Sequence, residues 1–373
     1  MCGFILAEAG ADVIKVEPPG GDPFRQGGVA AAFFNANRNK RSLAINLRKT
    51  EGLEIALSLA AGSDILLESF TPGTASTMGI GYKQINSINS RIIYCSISGF
   101  GQTGPYSRSP AYDPMIQAMS GFMAVTGEDG RPPVRMATGV IGLGTAFIAA
   151  YGILLAVMMR EKDGKGRYID AAFFDTAVFF MNPIITAYSL TGIPWVRMGS
   201  GHPFFVPYQC FKTADRYVFI GVTQKAFWHG FCRAIEMESL EKDPRFITNE
   251  RRIEHRSDLL KILEPAISKL DSADLLSRLE NEGVPCAPVR EVKEVINDPQ
   301  VKERSMLSQF EYPGAGNMLV SSLPLKMSGL EPPEGKRPPL LGEHNEEILL
   351  ELGYSRDKID ALRRDGIILD KLA

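Results

Sequence analysis

The sequence predicts an α/β fold in which helices cover a parallel sheet. In its first half, short β-branched segments alternate with helical segments, and parallel neighbouring strands require such crossover connections. The chain has 373 residues, which is more than one domain usually spans. Hydrophobic residues make up 45% and charged residues 23%, a balance that excludes a disordered or fibrous chain. We therefore expect a large sheet domain and a second, smaller one.

Five segments are rich in apolar and β-branched residues and are separated by helical segments. The predicted strands are 12–17, 42–46, 64–68, 91–97 and 168–171, and the helices are 4–9, 51–61, 82–88 and one from about 174 onward. Ligands of parallel sheets bind at the carboxyl ends of strands, so we expect a site in the loops after Glu17, Glu68 and Ile97. In the last of these loops, Gly99 and Gly101 permit close approach of the backbone to a ligand.

The segment from Met136 to Met159 has no charged residue and is long enough to cross a bilayer. Basic residues flank it, and its glycines suit close packing against other backbone, so we interpret it as a buried core helix and not as a membrane span. Glycine, proline and aromatic residues at 194–202 then indicate a linker. Beyond it, 210–213 and 217–222 predict a hairpin, and 225–277 predicts amphipathic helices.

The charge and composition of the chain argue against several kinds of partner and cofactor. The net charge of −2 gives no electrostatic reason to expect nucleic acid or an anionic membrane as partner. The five cysteines form no C-x-x-C pair, and the four histidines lack metal-ligand spacing, so we predict reduced cysteines and no metal. No signal peptide is recognisable at the start, so we expect a cytoplasmic protein.

Several side chains are candidates for chemistry, and each also has a structural interpretation. Glu17 ends a strand as in dinucleotide folds, but no glycine fingerprint precedes it, so a nicotinamide cofactor is not expected. A basic group could bind phosphates or form a solvated face: Arg38, Lys40, Arg41, Arg48 and Lys49. Acids that could be a nucleophile or base, but that are more often caps or surface charges, are Asp113, Glu128, Asp129, Asp170 and Asp175. His202 lies in a glycine-containing loop, where we favour a structural or rim role.

Six ordered motifs run from near the start of the chain to its end. They are GADVIKVEPP (10–19), NKRS (39–42), DILLESFTPG (64–73), SISGFGQTGP (96–105), AYDPMIQA (111–118) and PLLGEH (339–344). Together they resemble the family III CoA-transferases, which include formyl-CoA transferase, the carnitine CoA-transferases and the 2-methylacyl-CoA racemases.

The resemblance implies a large Rossmann-like domain built from both chain ends, 1–193 and 319–373, with a smaller α+β domain inserted at 194–318. It also implies that CoA is the ligand, that acyl-CoA and a small carboxylic acid are the substrates, and that two subunits thread through each other as interlocked rings. The family's CoA contacts match Glu17 with Pro18, Ile45 with Arg48, Ser69 with Phe70, and Thr77 with Met78, and we add Arg38, Gly99 and Gly101 to the expected CoA site.

The family transferases use an aspartate that attacks the thioester to form a mixed anhydride and then an aspartyl thioester. Alignment with the family places Gly142 where this aspartate is expected, and glycine cannot form the anhydride. The racemase branch has a histidine before the aspartate of the AYD motif, where this chain has Tyr112 before Asp113.

Two hypotheses follow from this departure. In the first, the chain is a CoA-transferase subunit, and a paired, catalytically competent paralogue supplies the aspartate. In the second, it is a homodimer that binds acyl-CoA without covalent catalysis, as a carrier or regulator, or that performs non-covalent, racemase-like chemistry with Asp113 or another acid. We favour the first, because an interlocked dimer makes a silent partner easy to retain.

Overall fold

The structure, a computed structural model, describes residues 1–26, 30–329 and 335–369. The chain divides into two compact units. Unit 1 comprises residues 1–120, 136–180 and 299–373, and unit 2 comprises 121–135 and 181–298. The expected small domain, 194–318, thus overlaps unit 2, but its residues 299–318 belong to unit 1. The reason is local packing, since Tyr312 lies against Phe34 with ring centroids 4.6 Å apart.

The helices and strands have the following bounds. The strands are β1 (Val13–Glu17), β2 (Lys40–Ala44), β3 (Ile65–Glu68), β4 (Ile93–Ser98), β5 (Arg167–Ala172), β6 (Tyr208–Lys212), β7 (Tyr217–Gly221), β8 (Cys286–Pro288), β9 (Leu307–Tyr312) and β10 (Gly316–Ser321). The helices of the first half are α1 (Cys2–Glu8), α2 (Ala30–Asn37), α3 (Thr50–Gly62), α4 (Thr74–Thr77), α5 (Tyr82–Ile88), α6 (Asp113–Met119), α7 (Phe122–Val125), α8 (Val140–Asp163), α9 (Phe173–Phe180) and α10 (Asn182–Thr191). Those of the second half are α11 (Lys225–Ala234), α12 (Asn249–Glu254), α13 (Arg256–Ile267), α14 (Ser272–Asn281), α15 (Val292–Val295), α16 (Pro299–Glu303), α17 (Asn345–Glu351) and α18 (Arg356–Arg364).

Strand pairing in unit 1 confirms the predicted α/β class. β1 pairs with β2 in parallel, and β3, β4 and β5 form a parallel sheet in that order. The carboxyl ends of β3 and β4 lie side by side, because Glu68 is in register with Ser96. In unit 2, β6, β7 and β8 are antiparallel, and the first two form the predicted hairpin. The β9–β10 hairpin was not predicted.

Both ends of the chain build unit 1. The PLLGEH motif lies against β2, where the Ser42 amide donates to His344 Nδ1 at 3.2 Å and the Gly342 amide donates to Ser42 Oγ at 3.0 Å. The Ala44 amide donates to Asn345 Oδ1 at 2.8 Å. A motif 300 residues away in sequence therefore holds the strand that follows the predicted CoA loop.

Helix α8 corresponds to the charge-free segment, and by length and composition it could cross a membrane. One side of it packs on β4 and β5, with Ala149 and Ile153 fully buried near Cys95. Its end is anchored by Arg160, which is 7% exposed and donates to two backbone carbonyl oxygens and to Asp64. The opposite side is exposed in the single chain, so the prediction of a buried helix holds for one side of α8.

Candidate active site

Asp113 and Gly142 are neighbours at the start of α8. Asp113 is the first residue of α6, and its carboxylate Oδ2 accepts a hydrogen bond from the Gly142 amide at 2.8 Å. Gly142 lies in the first turn of α8, where backbone amides have no partner within the helix. The carboxylate of Asp113 therefore caps a 24-residue helix from outside it. Of the candidate acids named from the sequence, Asp113 is the one whose carboxylate contacts Gly142.

Gln117 holds the second carboxylate oxygen of Asp113. Its Nε2 donates to Oδ1 at 2.5 Å, and its own Oε1 accepts from the Met136 amide at 2.9 Å. The Met136 contact fixes which end of the side-chain amide faces the carboxylate, since a backbone amide can only donate. Gln117 is 2% exposed, so this orientation is set inside the fold. Sequence reasoning missed Gln117; its place one helical turn after Asp113, inside the AYDPMIQA motif, is the signal that could have found it.

The side of α8 that faces Asp113 carries no side chains in its first turn. Gly139 and Gly142 are three residues apart, and a Cβ atom on either would lie 3.5 and 3.7 Å from Asp113 Oδ2. At Gly142 the other neighbours within 4 Å are ring atoms of Phe173, at 3.7 and 3.9 Å. These are ordinary contact distances, so a methyl group at position 142 would fit between the Asp113 carboxylate and the Phe173 ring. Phe173 was not among the predicted site residues.

Glu17 is enclosed by protein partners. Its carboxylate accepts from Arg25 through both oxygens, from Ser42 Oγ at 2.8 Å and from the Asp22 amide at 3.0 Å. It is 2% exposed, and the guanidinium of Arg25 lies over the ring of Phe33 at 4.1 Å. Its side chain therefore stabilises the loop after β1 instead of reaching a ligand. Pro18, next to it, is exposed.

Arg38 and Ile45 also have their side chains inside unit 1. Arg38 is 2% exposed, pairs with Glu8 through Nε at 3.0 Å and Nη2 at 2.6 Å, and lies over the ring of Phe4. Ile45 is fully buried in the core cluster beside β2. A phosphate requires an accessible donor, so the expected contact between Arg38 and CoA has no support in the structure.

The other predicted CoA contacts lie in accessible loops. Arg48, Ser69, Phe70 and Thr77 are exposed, and Met78 is half-buried. Beside this loop region lies a cavity of about 300 Å³ next to the carboxyl end of β3, with Glu68, Thr71, Ser76, Ser96 and Tyr168 in its wall. The Phe70 amide donates to Glu68 Oε2 at 2.8 Å, which ties the loop to its strand.

Gly99 and Gly101 shape the loop after β4 for different reasons. A Cβ atom on Gly99 would lie 2.0 Å from the Cβ atom of Ala111, so any side chain there is excluded. Gly101 has φ of +84° and donates its amide to Ser98 Oγ at 3.0 Å. Both glycines are thus explained by the packing of the chain on itself.

Asp170 and Asp175 are not among the three nearest neighbours of a Cβ atom at Gly142. Asp170 accepts from the Gln102 amide at 2.9 Å, and burial together with Asp170 raises the pKa of Asp175 above its usual value. Glu128 and Asp129 are exposed in a turn of unit 2. His202, also in unit 2, is surrounded by the rings of Trp195, Phe204, Phe205 and Tyr208.

Cys95 and Cys232 are poor nucleophiles. All five cysteines are free, and burial raises the pKa of Cys95 and of Cys232 to about 12. Such thiols stay protonated at neutral pH. Within the three described ranges, no group of three or more His, Cys, Asp or Glu side chains could hold a metal ion.

Comparison with known proteins identifies the family. Residues 1–345 match the family model described as CoA-transferase family III. A succinyl-CoA:mesaconate CoA-transferase of Haloarcula marismortui is 38% identical over 94% of this chain and 92% of its own length. A succinyl-CoA:glutarate CoA-transferase of mouse is 35% identical over 97% of this chain and 85% of its own length.

A solved structure agrees with these relatives. The crystal structure of a CaiB/BaiF family protein from Brucella suis matches with a TM-score of 0.86 and 35% identity, and the match covers 94% of both chains. The resemblance drawn from the six motifs is therefore confirmed: the chain belongs to the family III CoA-transferases.

Proposed function

We propose that this chain is a subunit of a CoA-transferase that moves CoA between an acyl-CoA and a free carboxylic acid, and that a paired subunit supplies the reactive aspartate. The observation that carries this is Gly142, at the start of α8, in the position aligned with the family's aspartate. An acyl-aspartyl anhydride needs a carboxylate side chain, and Gly142 has none.

The relatives support the substrate class. Their names describe transfer of CoA between succinyl-CoA and glutarate or mesaconate, and another relative, from Acetobacter aceti, is an acetyl-CoA:oxalate CoA-transferase. We infer a small dicarboxylic acid as the acceptor. CoA would contact the accessible loops that contain Arg48, Phe70 and Thr77.

The exposed side of α8 supports a partner subunit. Phe147, Tyr151, Leu154 and Met158 follow one another at helical spacing and are 46%, 63%, 56% and 62% exposed. Monomeric soluble proteins rarely expose a contiguous apolar stripe of this kind. We propose that a second, aspartate-bearing subunit covers it, in the interlocked arrangement implied by the family. The free cysteines fit a reducing compartment such as the cytoplasm.

The second hypothesis is favoured by one observation, the carboxylate of Asp113 next to Gly142. A homodimer could use it for non-covalent chemistry on bound acyl-CoA. The two hypotheses differ in what the chain does by itself.

The two hypotheses are separated by expressing this chain alone and together with a paralogue that carries aspartate at the position matching Gly142. We expect transfer of CoA from succinyl-CoA to a labelled carboxylic acid only in the co-purified pair. Full transferase activity of the chain by itself would contradict the proposal.

The variant Gly142→Asp sharpens this test. A Cβ atom at position 142 would meet no neighbour closer than 3.7 Å, so the backbone there accepts the first atom of a side chain. We expect the variant chain to gain exchange activity without the paralogue. If it binds CoA and still exchanges nothing, the site lacks more than the aspartate, and the idea that only the nucleophile is missing from this chain is contradicted.

A further inference from the structure

We propose that the cavity of about 300 Å³ next to β3 binds a nucleoside monophosphate whose ribose carries free 2′- and 3′-hydroxyl groups. All the residues that line it belong to unit 1. Among the described residues, none of those matched to the family's CoA contacts lines this cavity. It therefore offers a place for a second ligand, and the proposal goes beyond the proposed function and does not depend on it.

One face of the parallel sheet forms part of the cavity wall. Glu68 on β3 is in register with Ser96 on β4. Tyr94, two residues before Ser96, is in register with Tyr168 on β5, so these four side chains lie on the same face of the sheet. The loop after β3, the start of α5 and Gln102 form other parts of the wall. The cavity thus lies at the edge of the sheet where parallel strands bind ligands.

Glu68 can accept hydrogen bonds from the two ribose hydroxyl groups. Its Oε1 accepts from Ser96 Oγ, and its Oε2 accepts from the Phe70 amide at 2.8 Å. Ser96 Oγ accepts in turn from the Tyr168 hydroxyl at 3.2 Å, so its own hydrogen is directed at Glu68. Each carboxylate oxygen keeps a second lone pair, and a carboxylate at a strand end binds ribose hydroxyl groups in dinucleotide folds.

The same carboxylate disfavours CoA in this cavity. CoA carries a phosphate on the 3′-oxygen of its ribose, which would bring like charges together beside Glu68. A nucleotide with both hydroxyl groups free has no such phosphate. The charge of Glu68 therefore selects between the two ligands.

An aromatic ring and a side-chain amide are available for the base. Tyr168 is 40% exposed and lies against Tyr82 with ring centroids 4.9 Å apart. Aromatic rings of this kind stack with any base. The Nε2 atom of Gln102 has no hydrogen-bond partner among the described residues. Half a turn of this amide exchanges its donor and its acceptor, so it can pair with either kind of group on the edge of a base.

Lys83 supplies the charge for the phosphate. It is exposed in the cavity wall, and among the described residues no acid pairs with it. A lysine ammonium binds phosphate as a point charge. One cavity thus combines an aromatic ring and an amide for a base, a carboxylate for a ribose and an ammonium for a phosphate.

Calorimetry on the full chain tests the proposal, with adenosine 5′-monophosphate (AMP) as the probe. We expect AMP to bind, and adenosine 3′,5′-bisphosphate to bind at least about 10-fold more weakly, because its second phosphate meets Glu68. Saturating CoA should not displace AMP. Competitive displacement by CoA would show that the cavity belongs to the CoA site and would overturn the proposal.

Three variants and a matched control assign the roles. Glu68→Gln keeps the size of the side chain and an acceptor for its loop, and should weaken AMP binding about 10-fold or more, because it removes charge-assisted hydrogen bonds. Lys83→Gln should weaken the binding of AMP and leave that of adenosine unchanged. Gln102→Met should weaken binding without lowering the thermal stability, because it removes a buried nitrogen that has no partner. Glu54→Gln, an exposed acid of α3 outside the cavity wall, should change nothing.

The proposal is overturned if AMP does not bind, if the bisphosphate binds as tightly, or if folded Glu68→Gln binds AMP unchanged. Should Glu68→Gln fail to fold, the exposed Lys83 decides: unchanged AMP binding by Lys83→Gln, or an equal loss for AMP and adenosine, overturns the proposal. None of these measurements follows transfer of CoA, so the proposed function stands or falls separately.

Discussion

Glu17 and Asp113 are both acids of unit 1 that the sequence offers as candidates, and the structure surrounds them very differently. Glu17 is 2% exposed and receives hydrogen bonds from Arg25, Ser42 and the Asp22 amide. Asp113 is half-buried and receives one hydrogen bond on each oxygen, from Gln117 and from the Gly142 amide.

The difference shows what separates a structural carboxylate from a chemical one. A carboxylate whose acceptor sites are filled by its own chain has no capacity left for substrate, whatever its place at a strand end. Asp113 keeps part of that capacity, because among the described residues each of its oxygens accepts one hydrogen bond. Changing the hydrogen-bond partners of either carboxylate tests this difference.

The largest expected effect is on Glu17. Arg25→Ala would leave a buried carboxylate without its cation, which typically costs about 3–5 kcal/mol. Chemical denaturation should show the corresponding decrease in the free energy of unfolding. A loss below about 1 kcal/mol would mean that Ser42 and the Asp22 amide suffice to stabilise the charge.

A smaller loss is expected at Asp113. Asp113→Ala removes the cap of α8, and such substitutions cost about 0.5–2 kcal/mol. Asp113→Asn should cost less, because its side-chain oxygen still accepts from Gly142. Equal losses for the two variants would show that charge, and not the hydrogen bond, stabilises the helix start.

Gly142→Ala should raise the free energy of unfolding, whereas the substitutions of Arg25 and Asp113 lower it. Alanine is favoured over glycine in helices by about 0.5–1 kcal/mol, and the added Cβ meets nothing closer than 3.7 Å. Thermal unfolding should therefore shift upward slightly. A decrease would indicate that the added methyl group clashes with Asp113 or Phe173. Gly144→Ala is the matched contrast, because its Cβ would lie 2.5 Å from the Phe180 ring.

The smallest effect is expected at Arg41, which pairs with Asp12, Glu347 and Glu351 at the surface. These acids are 53–64% exposed, so solvent screens the pairs, and each is worth about 0–1 kcal/mol. Glu351→Ala should change the free energy of unfolding by less than about 1 kcal/mol, and the difference from wild type should shrink at high salt. A salt-independent loss as large as that of Arg25→Ala would contradict this interpretation.

The sequence predicted the strands of the parallel sheets well and the partners of side chains poorly, for a physical reason. Strands such as Val13–Glu17 and helix Tyr82–Ile88 follow from local patterns of apolar and turn residues. Arg38 was expected at CoA, yet its partner Glu8 lies 30 residues away and is brought to it only by the packing of α1. The contact of Asp113 with Gly142 spans 29 residues and was likewise invisible in the sequence. The motifs identified the family, but they could not show which acid the fold places beside Gly142.

Trapping with hydroxylamine tests the central claim most directly, namely that this chain forms no acyl-enzyme intermediate. The chain is incubated with succinyl-CoA, treated with hydroxylamine and digested, and the mass of every peptide that contains an acid is measured, with Gly142→Asp as the positive control. The account predicts a hydroxamate at residue 142 of the variant and none in the natural chain. A hydroxamate at Asp113, or at any other acid of the natural chain, would contradict it.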